Sequence, residues 1–549
     1  MKQYFRSIVE GAIEKLVESG LPIDRSSIPI IIEYPDKKYG DYSTNVAFTI
    51  SRILKKKPYD VAQILVDKIH DPNIEKIEVS GGFINFRVKR DFWYMVLERI
   101  LKEREKYGSL NVGQGKRVNI EFVSANPTGP LHVGHGRGAV VGDSLARLLE
   151  KVGFEVTREY YINDAGKQVK LLGESILARM YELTGGEHTF PEDGYKGKYI
   201  YDLAKMALNE KPHVLDMEKE EAIEELSFWA VNRMMERINN DLRDLGIEFD
   251  VYFSERTLYN EEIKRTIEEL EKKGYTYEKD GAIWFKSTPF GDEKDRVLIR
   301  SDGTPTYFAS DIAYHRNKFL RNYDFYINVW GADHHGYIKR VKGAIKALGF
   351  DDSKLDILLI QMVNLVRNGK PVTMSKREGE IVTLRWLLDE VGKDAIRFIF
   401  LTRKQDAHLD FDISIATKQT EENPVFYVQY AHARICSIYR TAMEKNLDID
   451  LTRNEIKYSL ISEEEEIEIL KKLAIFPDII EACVKNYEPH RITFYLMELA
   501  SLFHSYYNRF KVLEQNDDLR IARVALCEGV RIVIKEGLRL IGVSAPEVM

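Results

Sequence analysis

Cysteine is nearly absent from this 549-residue chain: Cys436, Cys483 and Cys527 lie far apart and never form a C-x-x-C pair. That excludes a disulfide framework and a thiolate zinc site, and leaves the three as small core residues. Long apolar runs are also lacking, so no segment reads as a bilayer span. The opening stretch MKQYFRSIVEGAIEKLVESG alternates charge with apolar residues at helical spacing, where a signal peptide would carry an uninterrupted apolar region. A cytoplasmic protein that does not meet the membrane is expected. Neither charge dominates: 80 Lys and Arg stand against 87 Asp and Glu, a net charge of −7. Any contact with RNA must therefore use local basic patches. There is no internal repeat or low-complexity tract, and the abundance of Glu and Lys beside little Gln hints at a heat-adapted source.

A chain of this length exceeds one ordinary hydrophobic core, so roughly two to four domains are expected. Residues 1–112 mix helical segments with the β-like runs IPIIIEYP and GGFINFRV, and read as a compact α+β domain. From VNIEFV at 118–123 onward, the apolar stretches EVTREYYI, YDFYINVWG and LDILLIQMVNLV alternate with amphipathic helices. That order predicts a Rossmann-like parallel α/β domain over 113–404. A charged, mostly helical stretch at about 168–290, with a small β segment at GAIWFKS, reads as an insertion in it. Beyond about 405 the β signals stop, and helical periodicity to 549 predicts an all-α bundle. The fold class is multidomain α/β.

The first strand runs into SANPTGPLHVGHGRGAVVGDSLARLLEKVG, where Pro127, Gly129 and Pro130 break the strand and a helical pattern begins close to His132. A helix start offers free N–H groups and a positive dipole end to a polyphosphate, and Gly134 leaves room for a nucleotide. His132 and His135, three apart, share one face and can donate to phosphate oxygens as charge builds. Alone, H-x-G-H is more often two polar residues in a glycine-rich cap. Zinc is a poorer reading, because no third ligand lies nearby.

HVGH resembles the HIGH signature of class I aminoacyl-tRNA synthetases, with Val133 in place of Ile, and the surrounding EFVSANPTGPLHVGHGRGAVVGDSLARLLE resembles the arginyl-tRNA synthetase family. The resemblance implies that His132 and His135 stabilise the α-phosphate transition state and the leaving pyrophosphate. It implies that Ala125, Asn126, Pro127, Thr128, Gly129, Pro130 and Leu131, with Val133 and Gly134, form the ATP-binding loop. Glu121, Ser124 and Asn126, joined by His132, would line the amino-acid pocket.

Downstream, LLIQMVNLVRNGKPVTMSKREGEIVTL holds an apolar strand, an Asn368-Gly369 hairpin signal and then Met374-Ser375-Lys376. A lysine on a polar loop can fold over a triphosphate and meet the charge moving onto pyrophosphate; a solvated surface loop is the plain alternative. The segment resembles the KMSKS signature, with Thr373 for the first lysine and Arg377 for the last serine. The catalytic lysine then falls on Lys376, with Met374 and Ser375 beside ATP. Some members of the family carry a lysine just upstream of the HIGH motif instead; Pro127-Thr128-Gly129-Pro130 holds none.

A guanidinium needs carboxylates and fork-like acceptors. In TPTYFASDIAYHRNK, Tyr307 and Asp311 are four apart at a helix start and face the same way. YFASDIAYH resembles the family's pocket helix, which implies that Asp311 pairs with the guanidinium and Tyr307 helps to hold it, Glu121 giving a second carboxylate. WGADHHGYIKR follows a strand, and Gly331, Asp333, His334 and His335 suit a tight turn beside adenosine, metal binding being the competing idea.

Near the C-terminus, NPVFYVQYAHARICSIYR carries aromatics at helical spacing, with Tyr430, His432 and Arg434 as polar tips; such stripes are more often packing. It resembles the helix that opens the family's anticodon-binding bundle. LASLFHSYYNRFKVL is similar too, and Tyr506, Tyr507, Asn508 and Arg509 are expected to stack on or bond to unpaired bases. Val548 departs from the arginine expected there. KKYGDYSTNVAF and VSGGFINFRV resemble the family's extra N-terminal domain, which implies contact with the outer corner of tRNA. The resemblance implies two steps: arginine attacks ATP with Mg2+ present and tRNA bound, then tRNA(Arg) takes the arginyl group. A monomer with no tightly bound metal is expected. The rivals are a nucleotidylyltransferase using H-x-G-H and a silent RNA-binding relative.

Overall fold

The structure is a computed structural model that describes residues 1–20, 22, 24–259, 261–372 and 382–549. The first module opens with α1 (Lys2–Glu18), whose Phe5, Val9, Ala12, Ile13 and Leu16 form one buried stripe. β1 (Ile32–Glu33) and β2 (Tyr42–Thr44) are followed by α2 (Val46–Leu54), α3 (Pro58–Val66), β3 (Ile74–Ser80) and β4 (Phe83–Val88). The strands form an antiparallel sheet in the order β1-β2-β4-β3. α4 (Arg90–Glu103) leads out of it into the second module.

There β5 (Arg117–Glu121), α5 (Val133–Lys151) and β6 (Glu155–Ile162) are followed by three helices, α6 (Lys167–Thr184), α7 (Lys198–Glu210) and α8 (Lys219–Asp244). β7 (Val251–Ser254), α9 (Glu262–Lys272), β8 (Thr276–Lys279), β9 (Ala282–Phe285) and β10 (Arg296–Ile299) come next, then α10 (Tyr307–Leu320), β11 (Phe325–Gly331), α11 (Ile338–Ala347) and β12 (Leu355–Ile360). The central sheet is parallel throughout, in the order β12-β11-β5-β6-β7. From β5 the chain winds to β6 on one side, and β11 takes the other side. The order therefore reverses between β5 and β11, and a crevice opens at their carboxyl ends.

Two expectations need correction. The stretch at about 168–290 is not one insertion, because β7 lies inside it and pairs with β6 from Glu159↔Val251 to Ile162↔Ser254. It divides into a helical excursion, α6 to α8, and a second one in which β8, β9 and β10 form a small antiparallel sheet. The four residues of β7 are too few to reveal a period in the sequence. LDILLIQMVNLV is likewise two strands: β12 stays in the central sheet, whereas β13 (Val363–Arg367) leaves it to pair with β14 (Lys370–Pro371) and β15 (Leu409–Asp412). β strand structure thus continues past 405. Asn368 and Gly369 join β13 to β14, both at positive φ, 53° and 72°, as a two-residue hairpin requires.

α12 (Leu384–Val391) and α13 (Lys393–Phe400) precede β15, and α14 (Ile413–Ala416) follows it. The remainder is helical: α15 (Pro424–Glu444), α16 (Glu464–Ala474), α17 (Phe476–Asn486), α18 (His490–Arg509) and α19 (Asp517–Leu540). α5 is the axle of the molecule. Ala139, Val140, Val141, Leu145, Ala146, Leu148 and Leu149 are all buried, because the sheet covers one side and α13, α17 and α19 pack on others. Among the described residues no helix is long and apolar enough to cross a membrane.

One buried arginine ties three parts of the chain to α5. Arg397 on α13 bonds to Asp143 on α5, and donates to the carbonyls of Ile541 at 2.7 Å and Leu245 at 3.1 Å. No side chain fits at Gly542, whose missing Cβ would lie 2.3 Å from Arg397 Cζ. The Arg397→Ala variant strands two carbonyls and weakens the compensation of Asp143. Breaking a buried pair costs about 3–5 kcal/mol, and Arg147, 2.7 Å from the same carboxylate, keeps the loss at the lower end. A lowered urea midpoint at unchanged slope is the expected reading.

Candidate active site

α5 begins at its N-cap, His132, and the two histidines cap it reciprocally. The backbone N–H of His135 donates to His132 Nδ1 and that of His132 donates to His135 Nδ1, each at 3.3 Å. Their rings stack with centroids 3.5 Å apart. Because each Nδ1 accepts a bond, a neutral ring must carry its proton on Nε2, so both present a donor. Burial, with His132 adding to it, pushes His135 down to about 3, and burial lowers His132 as well. The pair is therefore neutral at pH 7, a hydrogen-bonding rather than a cationic device.

The strand before them ends under strain. Val123 and Ser124 adopt φ of 68° and 40°, and the Ser124 N–H closes onto the Phe122 carbonyl at 3.0 Å. A β-branched residue rarely enters this region, and such positions cost about 1–3 kcal/mol each and cluster at functional sites. Nothing in the sequence signals Val123. The turn directs Ser124 Oγ to donate to Glu121 Oε1 at 3.0 Å while it accepts from the Tyr161 N–H at 3.1 Å.

Both strands and the cap open on one cleft of about 1280 Å3 at the carboxyl ends of β5, β11 and β12. Ser124, Ala125, Asn126, His132, Val133, Gly134 and His135 line it from the β5 side, and Gly331, Asp333 and His334 from β11. Pro127, Thr128, Gly129, Pro130, Leu131 and His335 do not line it. Met374, Ser375 and Lys376 lie outside the described residues. The residues that flank their segment, Val372 and Val382, both line the cleft. The far flank is bonded to the histidine segment itself: Val133 N–H donates to the Val382 carbonyl at 3.3 Å, and Leu384 N–H to the Leu131 carbonyl at 2.7 Å.

α10 lays one polar stripe across the sheet: Tyr307, Asp311, Tyr314 and Lys318, spaced four, three and four apart. At its inner end Lys318 Nζ donates to Glu121 Oε2 at 2.6 Å and to Asn328 Oδ1 at 2.8 Å. The Tyr314 hydroxyl bridges Glu121 and Glu159, at 3.0 and 2.7 Å. Arg321 grips Glu159 with two bonds of 2.7 and 2.8 Å, and together these partners hold Glu159 down at about 2 against its burial. Glu121, expected as a second carboxylate of the pocket, has its charge met by Lys318. At the outer end His315 Nδ1 bonds the Asp311 backbone carbonyl at 2.8 Å and lies 3.1 Å from its Oδ1, and Asp311 Oδ2 has no hydrogen-bond partner among the described residues. Tyr307 is 51% exposed. Neither residue, nor Glu121, lines the main cleft. Reading the stripe beyond Asp311 in steps of three and then four would have found Tyr314 and Lys318 in the sequence.

In the helical bundle, Arg434 lies over the rings of Tyr430 and Tyr507, at 4.7 and 5.0 Å, and donates to Asn508 Oδ1 at 3.3 Å. Arg509 is exposed and pairs with Glu465. Tyr506 contradicts its expected role: it is 1% exposed and its hydroxyl donates to buried Glu466 at 3.3 Å, so no base can stack on it. Its place on the inward face of α18 follows from the helical period, which sets adjacent Tyr506 and Tyr507 on different faces. His432 is buried too, bonded to the Pro546 carbonyl at 2.9 Å. Among the described residues no group of three or more His, Cys, Asp or Glu could hold a metal ion.

A parallel sheet with a reversal point, a cleft at its carboxyl edge and a histidine-capped helix fit a class I aminoacyl-tRNA synthetase, and residues 96–412 match the model of the class I (R) tRNA synthetase catalytic domain, which decides between that class and a nucleotidylyltransferase. Residues 3–88 match the arginyl tRNA synthetase N-terminal domain, and 428–549 the DALR anticodon binding domain. The arginine--tRNA ligase of Geobacter sp. (strain M21) is 46% identical over 557 residues, covering 100% of both chains. That of Caldanaerobacter subterraneus subsp. tengcongensis is 47% identical over 555 residues, with 100% of this chain and 99% of that one covered. The arginyl-tRNA synthetase structure of Thermus thermophilus shares the fold at a TM-score of 0.77 and 24% identity, over 100% of each chain. The chain belongs to the arginyl-tRNA synthetase family, whose activity is the aminoacylation of tRNA with arginine.

The buried pair of imidazoles makes stability depend on pH. Unfolded, His135 takes up a proton as pH falls below about 6.5; folded, it refuses one until about 3. The unfolded state binds more protons across that window, so stability falls with acidification and is fullest above pH 6.5. Urea unfolding between pH 7 and 5 should show a smaller loss in His135→Asn than in the parent chain.

Proposed function

We propose that the cleft between β5 and β11 activates L-arginine with ATP and passes it to tRNA(Arg), with His132, His135 and Lys376 as the catalytic residues. One observation carries this reading: the flanks of the lysine segment line the same cleft as both histidines, and the far flank is bonded to the backbone on either side of His132. Arginine's carboxylate attacks the α-phosphate, pyrophosphate leaves, and the terminal ribose 2′-hydroxyl of tRNA then takes the arginyl group from AMP. The neutral Nε2–H groups and the helix start stabilise charge on the reacting phosphates, and the Lys376 ammonium meets charge on the departing pyrophosphate. ATP arrives as its magnesium complex, a substrate rather than a resident metal.

Asp311 pairs with the guanidinium; its partnerless Oδ2 and the exposed Tyr307 on the same stripe support this. Ser124 and Asn126 hold the amino-acid end, and the Gly331 to His334 turn meets adenosine. The three modules, divided near 112 and in the stretch after 404, contact the outer corner of tRNA, the acceptor end and the anticodon in turn. Tyr430, Arg434, Tyr507, Asn508 and Arg509 form the anticodon surface. A monomer working in the cytoplasm fits a role in translation.

Charging assays over a panel of amino acids should yield product with arginine, and preferential charging of another amino acid would end the assignment. Asp311→Asn keeps the shape and removes the charge, so it should raise KM for arginine about 10–100-fold, the worth of a charge-assisted bond. Lys376→Ala should slow adenylation and leave the Kd for tRNA unchanged; an undiminished rate would take Lys376 out of the site.

A further inference from the structure

The loop that carries the sheet into the histidine cap is held from outside the sheet. Asn126 Nδ2 donates to Gln168 Oε1 at 2.8 Å, in the first turn of α6. Tyr199, in the first turn of α7, donates its hydroxyl to the Thr128 carbonyl at 2.9 Å. Its ring closes the space beside Gly129, where an added Cβ would stand 3.3 Å from the phenol oxygen. Thr128 is 8% exposed, so little water can replace the bond. Burial pushes the Tyr199 phenol well up, which keeps it a donor at any working pH. Both tethers come from the helical excursion, whose core of Ile176, Met180, Leu203, Leu226 and Trp229 is separate from the one beneath the sheet. The position of that body therefore reaches the loop through two defined bonds.

We propose that Tyr199 is a positioning residue for adenylation, setting the nucleotide loop through the Thr128 carbonyl. This rests on the reading that the loop carries ATP in that step. A loop whose carbonyl is unpinned samples more conformations, so fewer encounters are productive, whereas arginine, held chiefly by α10, binds as before.

Tyr199→Phe removes one oxygen and keeps the ring against Gly129. Arginine-dependent pyrophosphate exchange with tRNA present should show kcat per titrated active site lowered about tenfold, the worth of one bond, with KM for arginine within about twofold and the melting midpoint lowered by only about 1–3 °C. Tyr201→Phe serves as the control: its hydroxyl lies on the same helix but bonds Glu182 at 3.1 Å on the surface, and its kcat should match the parent. An unchanged kcat in Tyr199→Phe overturns the proposal, as does a loss of titratable sites with kcat per site intact, or an equal fall in Tyr201→Phe. A parent chain with no arginine-dependent exchange overturns the functional reading itself, and this inference with it.

Discussion

Two carboxylates buried on adjacent parallel strands, Glu121 on β5 and Glu159 on β6, are the constraint around which the catalytic module is arranged. Unpaired, such neighbours would repel and would be stripped of water. They are tolerated because α10 crosses the sheet with Tyr314 between them and Lys318 on Glu121, while Arg321 takes Glu159. That requirement fixes the rotation of α10 about its own axis. Once Tyr314 and Lys318 face the sheet, Tyr307 and Asp311 must rise from the same stripe towards its carboxyl edge. The charge beneath the site thus determines where the residues proposed to meet arginine can stand.

The same economy governs α5. Its start is fixed by the reciprocal imidazole bonds, its length by burial on several sides, and its far half by Asp143 and the Arg397 guanidinium that also binds Leu245 and Ile541. A helix clamped at so many points cannot adapt to a ligand. What surrounds it must do so instead, beginning with the loop from Ala125 to Leu131 that Gln168 and Tyr199 tether. A rigid helix start suits electrostatic stabilisation, which depends on donors that need not reorganise as charge develops.

Much of this was legible in the sequence where the signals were local. The strand, turn and helix around HVGH, the Asn368-Gly369 hairpin, the parallel order of β6, β11 and β12 and the helical bundle all follow from breakers and periodicity. What escaped was either too short or non-local. β7 and β15 have four residues each, and only their partners make them strands. Whether Glu121 stands free or neutralised depends on Lys318, 197 positions away. Tyr506 and Tyr507 are adjacent and chemically alike, so composition could not separate the buried one from the one beside Arg434. The left-handed Val123 was out of reach, since no residue type announces strain that tertiary packing imposes.

The neutrality of the stacked imidazoles bears on what happens after the chemistry. A cationic cradle at the start of α5 would hold pyrophosphate as strongly as it had helped to form it, and product escape would become the slow event. In the proposed reaction, rings kept uncharged by burial and by their own capping bonds would add no positive charge to the hold on the departing anion. On that reading, turnover would be spared an electrostatic trap of the enzyme's own making.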